Sequence, residues 1–100
     1  MNMQQLMAQA QKMQRELKKA KAALAEKEFE VSKGGAVKVT VLGNKTVKSV
    51  EIQDDAFNKE DKDMVQDMIA MAINEAIEQI DAEEAEINEA ITGQSTPMGF

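Results

Sequence analysis

Two long apolar stripes with helical spacing flank a short segment whose apolar residues alternate, and this difference in length limits the possible folds. In residues 3–24, apolar side chains recur every three or four positions and repeat every seven, a narrow seam of the kind by which helices pack along one another. This seam consists of Met3, Leu6, Met7, Ala10, Met13, Leu17, Ala20 and Leu24. A second helix is predicted over about 59–91, with a stripe of Val65, Met68, Ile69, Ala72, Ile73, Ala76, Ile77, Ile80, Ile87 and Ile91.

The two predicted helices are longer than any strand between them. They span roughly 37 Å and 50 Å, whereas a seven-residue strand spans about 23 Å. Both helices must therefore extend past the sheet, and both keep their stripes along the extension. The stripes need cover from each other or from a second copy of the chain, and symmetric dimers are the commonest oligomers. A homodimer with projecting helical arms is the expected assembly.

Three short strands are predicted between the helices, because the apolar period changes to two near Glu28. The segments read FEVSK, AVKVTVL and TVKSVEI. Gly34-Gly35 separates the first two strands, and Gly43-Asn44 forms the hairpin turn between the second and third, since both residues tolerate positive φ. Val47 is out of phase with Val50 and Ile52, which predicts a bulge or a shortened strand. The fold class is α+β, with a three-stranded antiparallel sheet between two long helices.

The ends of the second helix carry local signals. Asn58 is the predicted N-cap, and acidic residues follow it near the positive end of the helix. Gly93 is a stop signal. The sequence therefore predicts a single domain over 1–92 and a flexible tail over 93–100.

The composition excludes several classes of function. The chain has no Cys and no His, which removes thiol chemistry, the commonest general base and the usual zinc ligands. No Ser has a plausible base, so we expect no enzyme, no cofactor and no small-molecule substrate. The first residues lack the pattern of a signal peptide, and no apolar run approaches the roughly 18 residues of a membrane span. We expect a cytoplasmic protein without a membrane partner.

Charge is distributed unevenly along the chain. The net charge is −6, yet residues 1–48 hold ten Lys or Arg and only four Asp or Glu, whereas residues 49–100 hold two and fourteen. Such asymmetry indicates an interaction surface. On the heptad wheel, four cations of the first helix lie away from the seam and the fifth flanks it. This basic ridge consists of Lys12, Arg15, Lys18, Lys19 and Lys21.

The basic ridge has two interpretations. Lys is a flexible point charge suited to contacting phosphate without reading bases, so the ridge is a candidate phosphate-binding surface. It could instead be a solvated helix face paired with the acidic last helix. If the two helices run back to back from the sheet, Lys12 and Arg15 would lie near Glu75 and Glu78.

Two other features are also open to more than one interpretation. The acidic run over 81–90 lacks the spacing of a calcium loop and any His partner, so no metal site is expected; it is a solvated face or a mimic of nucleic acid. The methionines of both helices could form an adaptable binding groove, although core or dimer packing is the simpler interpretation. They are Met1, Met3, Met7, Met13, Met64, Met68 and Met71.

Four stretches together carry a family resemblance: the opening MAQAQKMQ, the two glycines and strand of GGAVKVTV, the strand SVEI and the stretch AINEA. They resemble the YbaB/EbfC family of small bacterial nucleoid-associated proteins. The resemblance covers about residues 1–93. It implies a tweezer-like homodimer with a small central sheet, and binding to double-stranded DNA with little sequence preference. It further implies a nucleoid location, a role in chromosome organisation or gene regulation, and DNA contact at the basic ridge. The alternative is a protein-interaction adaptor whose acidic or Met-rich arms bind a replication or repair protein.

Overall fold

The computed structural model describes residues 2–93 and confirms the predicted α+β architecture. The chain forms an elongated body of 69 × 22 × 16 Å. Its elements in order are α1 (Met3–Glu26), β1 (Glu28–Lys33), β2 (Val37–Leu42), β3 (Val47–Ile52), a short 3-10 helix (Asp54–Ala56) and α2 (Lys62–Thr92). In chain order, two long helices thus flank three six-residue strands, as the apolar periods predict.

A capping box fixes the start of α1. The Asn2 side chain accepts a hydrogen bond from the backbone N–H of Gln5 at 2.8 Å, and the Gln5 side chain accepts one from the backbone N–H of Asn2 at 3.2 Å. This reciprocal pair satisfies two donors that a helix terminus leaves open. The helix is therefore ordered from its first turn.

The sheet is antiparallel with strand order β1-β2-β3. Val39 lies between Val31 and Val50, so the apolar residues of the three strands share one face. The register shifts between Thr40 and Val41, which pairs with Val47. This register shift confirms the irregularity predicted at Val47, a bulge or a shortened strand.

The turn between β2 and β3 has a different geometry from the predicted one. The residue with positive φ is Lys45, at 69°, and the Asn44 side chain accepts a hydrogen bond from the backbone N–H of Thr46 at 2.9 Å. Gly43 is needed for space, because a Cβ there would lie 1.7 Å from the carbonyl oxygen of Leu24. The Gly43 N–H donates to the Lys27 carbonyl at 2.9 Å. The turn is thus docked directly onto the end of α1.

Helix α2 begins at Lys62, three residues later than predicted. Asn58 does accept a backbone hydrogen bond, but from Asp61 at 2.8 Å, and its amide donates to the Asp61 carboxylate at 2.8 Å. Asn58 therefore closes a turn before the helix instead of capping it. At the other end, Gly93 has φ 73° and its N–H donates to the Glu89 carbonyl at 2.8 Å, which confirms the predicted stop. Residues 94–100 of the predicted tail lie outside the described residues.

Helix α2 covers β1 and β2 and leaves β3 largely open. Its main sheet contacts are with the first two strands. The main core cluster joins the sheet, α2 and the end of α1 through Leu24, Phe29, Val31, Val39, Val41, Ala72, Ala76 and Ile80. A smaller cluster near the start of α2 contains Ala36, Val37, Ala56 and Val65. On β3, by contrast, Val47 and Val50 are 43% and 42% exposed.

Helix α1 packs on α2 and hardly on the sheet. Leu24 is buried in the same cluster as Ile80 and is joined there by the half-buried Ile87. Met13 and Leu17, further back along the α1 seam, are also half-buried. The two seams thus cover each other where the helices extend past the sheet.

We predict that Gly43→Ala destabilises the fold strongly. The added methyl group meets backbone atoms of Leu24, which cannot move aside as a flexible side chain can, so we expect a loss of about 3 kcal/mol or more. Gly35→Ala is the matched control: its φ is 62° but nothing lies within 4 Å of the added Cβ, so about 1 kcal/mol is expected. Urea unfolding at equal protein concentration measures both. Similar losses for the two variants would contradict the packing of the turn against α1.

Candidate nucleic-acid interface

The basic ridge lies on the exposed side of α1. All five of its cations are exposed, whereas Met13, Leu17 and Ala20 on the opposite side are half-buried. Since a helix turns by about 100° per residue, Arg15 lies directly opposite the seam. The other four cations lie on either side of Arg15, with Lys21 nearest to α2. Packing of the seam thus orients the ridge towards solvent.

None of the five ridge cations forms a salt bridge within residues 2–93. The alternative that pairs Lys12 and Arg15 with Glu75 and Glu78 does not occur within one chain. Glu75 instead lies 2.7 Å from the ammonium nitrogen of Lys33, at the end of β1. The ridge is available to an anionic partner.

Lysines from the strand ends pair with the acids of α2. Lys27, just after α1, lies 2.6 Å from Glu83, and Lys45, in the β2–β3 turn, lies 2.8 Å from Asp81. The hydrogen bond to Asp81 raises the pKa of Lys45 above its ordinary 10.5. The ammonium group loses its proton, and with it this pairing, as the pH rises through the raised pKa of Lys45. Part of the negative charge of α2 is thus neutralised inside the chain.

The outer face of the sheet, away from α2, is a ladder of mixed charge. Lys38 lies 3.2 Å from Glu51 and 3.9 Å from Glu30, and Lys48 lies 3.1 Å from Glu28. A side-chain hydrogen bond to Glu51 raises the pKa of Lys38. These lysines already have carboxylate partners, so this face offers no cluster of free cations comparable to the ridge.

A second surface, which the sequence did not single out, is apolar. A groove of 590 Å³ lies between the end of β3 and the start of α2, lined by Ile52, Phe57, Val65 and Ile69 among others. Lys59 and Lys62 also line it and form no salt bridge within the described part of the chain. The one sequence feature that could have indicated this groove is Phe57, an isolated aromatic residue in an otherwise acidic connector.

The methionines of the two helices differ in their surroundings. Met3, Met7, Met64 and Met71 are exposed, whereas Met68 packs against the smaller core cluster. Core packing within the chain therefore accounts for Met68 but not for the exposed four. Dimer packing or a binding groove remains a prediction for those.

Neither a metal cluster nor a membrane span is found among residues 2–93. No group of three or more carboxylates there could hold a metal ion. No helix in that range is both long and apolar enough to cross a membrane.

Comparison with known proteins identifies the family. The model of the YbaB/EbfC DNA-binding family matches residues 1–95. The chain belongs to the YbaB/EbfC DNA-binding family. The predicted family resemblance is thereby confirmed.

Relatives in this family cover most of the chain. A nucleoid-associated protein of Enterococcus faecalis is 43% identical and aligns over 95% of this chain and 88% of its own. Another, of Clostridium novyi, is 43% identical over 93% and 82%. An uncharacterized protein of Helicobacter pylori has a similar crystal structure, with TM-score 0.76, 21% identity, and 93% and 99% of the two chains covered. At that identity the structure supports the shared fold alone.

We predict that replacing all five ridge cations with Gln leaves the folding stability nearly unchanged. Because none of them is paired or buried within the described chain, the free energy of unfolding should stay within about 0.5 kcal/mol per substitution. Urea unfolding followed by circular dichroism measures it. A large loss would show that the ridge supports the fold and is not free for a partner.

Proposed function

We propose that this chain is a non-enzymatic, nucleoid-associated protein that binds double-stranded DNA as a homodimer with low sequence specificity. The observation that carries the proposal is the free basic ridge on α1, in a protein whose other lysines largely have carboxylate partners. Membership of a DNA-binding family and the names of its relatives support the same function.

Low specificity follows from the types of residue in the ridge. Four of the five cations are Lys, which neutralises phosphate as a flexible point charge. Arg15 alone could make the bidentate contacts that read guanine. The ridge is suited to the DNA backbone, which is present in every sequence. A role in chromosome organisation or gene regulation, within the nucleoid of the cytoplasm, is consistent with such binding.

The open side of β3 is the proposed dimer surface. Val47 and Val50 face the helix side of the sheet but are not covered by α2. The apolar groove begins at Ile52, two residues further along the same strand. A strand at the edge of a sheet that exposes apolar residues needs cover. A second copy provides the same apolar surface through a twofold axis, and the assembly then presents two arms with one ridge each.

We predict that Val50→Asp separates the dimer. A carboxylate at the centre of an apolar interface loses its hydration without gaining a partner. The Kd for dimerisation should rise about a hundredfold or more, roughly 3 kcal/mol. Sedimentation equilibrium measures it, and Ser49→Asp, which adds the same charge on the other face of β3, should leave the dimer intact. Equal effects of the two variants, or none, would place the dimer surface elsewhere.

We predict that Lys18→Glu combined with Lys19→Glu abolishes saturable DNA binding at near-physiological salt. Each change replaces attraction to phosphate with repulsion, and both residues are exposed and form no salt bridge within residues 2–93. Fluorescence anisotropy with a labelled duplex measures the affinity. Circular dichroism and sedimentation establish that the variant keeps its fold and its oligomeric state.

The matched control is Lys45→Glu combined with Lys48→Glu. This double variant changes the net charge by the same amount, but both lysines already have carboxylate partners. It should lose far less DNA affinity than the ridge variant. Unchanged affinity in the ridge variant, or equal losses in both, would rule out the ridge as the specific site.

A protein-interaction adaptor is the second candidate function. Glu86 and Glu89, near the end of α2, are exposed and form no salt bridge within residues 2–93, and Met64 and Met71 are exposed near its start. These features could bind a replication or repair protein. Pull-down from lysate with and without nuclease distinguishes the two functions, because partners bridged by DNA disappear after nuclease treatment.

A further inference from the structure

The N-terminal part of α1 extends beyond its packing on α2. Residues 2–12 are all exposed, whereas Met13 is the first half-buried residue of the seam and Leu24 is fully buried. Residues 3–11, here called the overhang, form about 13 Å of helix without cover from the described chain. The capping box between Asn2 and Gln5 orders this end of the helix.

An apolar stripe runs along the overhang. Met3, Leu6 and Met7 are 73%, 48% and 57% exposed, and Ala10 continues the stripe one turn later. These positions belong to the heptad seam whose later members pack against α2. The overhang thus continues an established helix-packing surface into solvent.

The overhang carries no charge, unlike the rest of the arm. Residues 1–11 contain no Lys, Arg, Asp or Glu, whereas residues 12–27 contain eight. Even the capping residues of α1 are the neutral Asn2 and Gln5, in positions where Asp and Glu are also favoured. Two copies of a chain with net charge −6 repel each other. The overhang, which has no charged side chain, is the part of the arm on which two copies can meet without charge repulsion.

We propose that the overhang pairs with the overhang of another copy of this chain. Antiparallel pairing about a twofold axis brings Met3 opposite Ala10 of the second copy and places Leu6 and Met7 at the centre. A self-complementary apolar stripe suits such an isologous contact, and methionine adapts to imperfect packing. This inference rests on the proposed homodimer. Each dimer has two overhangs, so the pairing joins dimers end to end.

Single-cysteine variants test the pairing directly, because the chain has no cysteine of its own. Met7→Cys places a thiol on the stripe, and the matched control Ala8→Cys places one on the opposite side of the same helical turn. Mild oxidation without DNA should cross-link Met7→Cys with a several-fold higher yield than Ala8→Cys. Equal yields would overturn the proposal.

Sedimentation velocity without DNA shows what the pairing joins. Wild-type protein should form species larger than a dimer as its concentration rises, and Leu6→Glu combined with Met7→Glu should stop at the dimer. If the proposed sheet-face dimer is wrong, the Leu6→Glu and Met7→Glu double variant should instead convert a dimer to a monomer, and Val50→Asp should leave that dimer intact. This result would support pairing of the overhangs without the sheet-face dimer. Wild-type protein that never exceeds a dimer, with cross-linked Met7→Cys also dimer-sized, would overturn the end-to-end proposal.

Discussion

The close packing of α2 on two strands of the sheet determines the rest of this molecule. Ala72, Ala76 and Ile80 have no exposed surface, and the two alanines bring the helix axis close to the valines of β2. Because α2 has 31 residues and the strands have six, the helix continues well past the sheet. Its apolar stripe there needs a partner, and the seam of α1 provides one. The length of the molecule and the existence of an arm both follow from this mismatch.

The same packing separates the charges. With the seam against α2, the cations of α1 are turned outward, while lysines at the strand ends and turns reach the acids of α2. Lys33 and Lys45 lie 2.7 Å and 2.8 Å from Glu75 and Asp81. Such exposed pairs contribute little to stability. Their larger effect is electrostatic, because they reduce the negative field beside the arm that carries the proposed DNA-binding ridge. An acidic protein can therefore present a free basic surface.

Much of this architecture follows from local sequence. The seam of α1, the three strands, the bulge at Val47 and the stop at Gly93 each depend on residue spacing or on one residue's backbone preference, so they could be predicted. The outward position of the ridge follows from the heptad pattern as well. The role of the ridge residues in DNA contact remains a proposal.

Other features depend on contacts between distant segments and could not be read from spacing. Gly43 appeared to be a residue for positive φ, but its role is to approach the Leu24 carbonyl, which requires the turn to dock on α1. Asn58 is a residue type favoured at N-caps. Its side chain instead bonds the backbone N–H and the carboxylate of Asp61, and α2 starts after that turn. The open face of β3 depends on where α2 crosses the sheet. An alternating strand pattern shows which residues share a face, but not whether a helix covers it.

The most direct test of the central claim is the salt dependence of DNA binding by the wild-type protein. Fluorescence anisotropy with a labelled duplex of about 30 base pairs, long enough for several phosphate contacts, gives the affinity at a series of salt concentrations. If one ridge neutralises about five phosphates, log K should fall against log salt with a slope near −4.5, and near −9 if both ridges of a dimer bind. Binding that does not change with salt, or no binding even at low salt, would contradict the account.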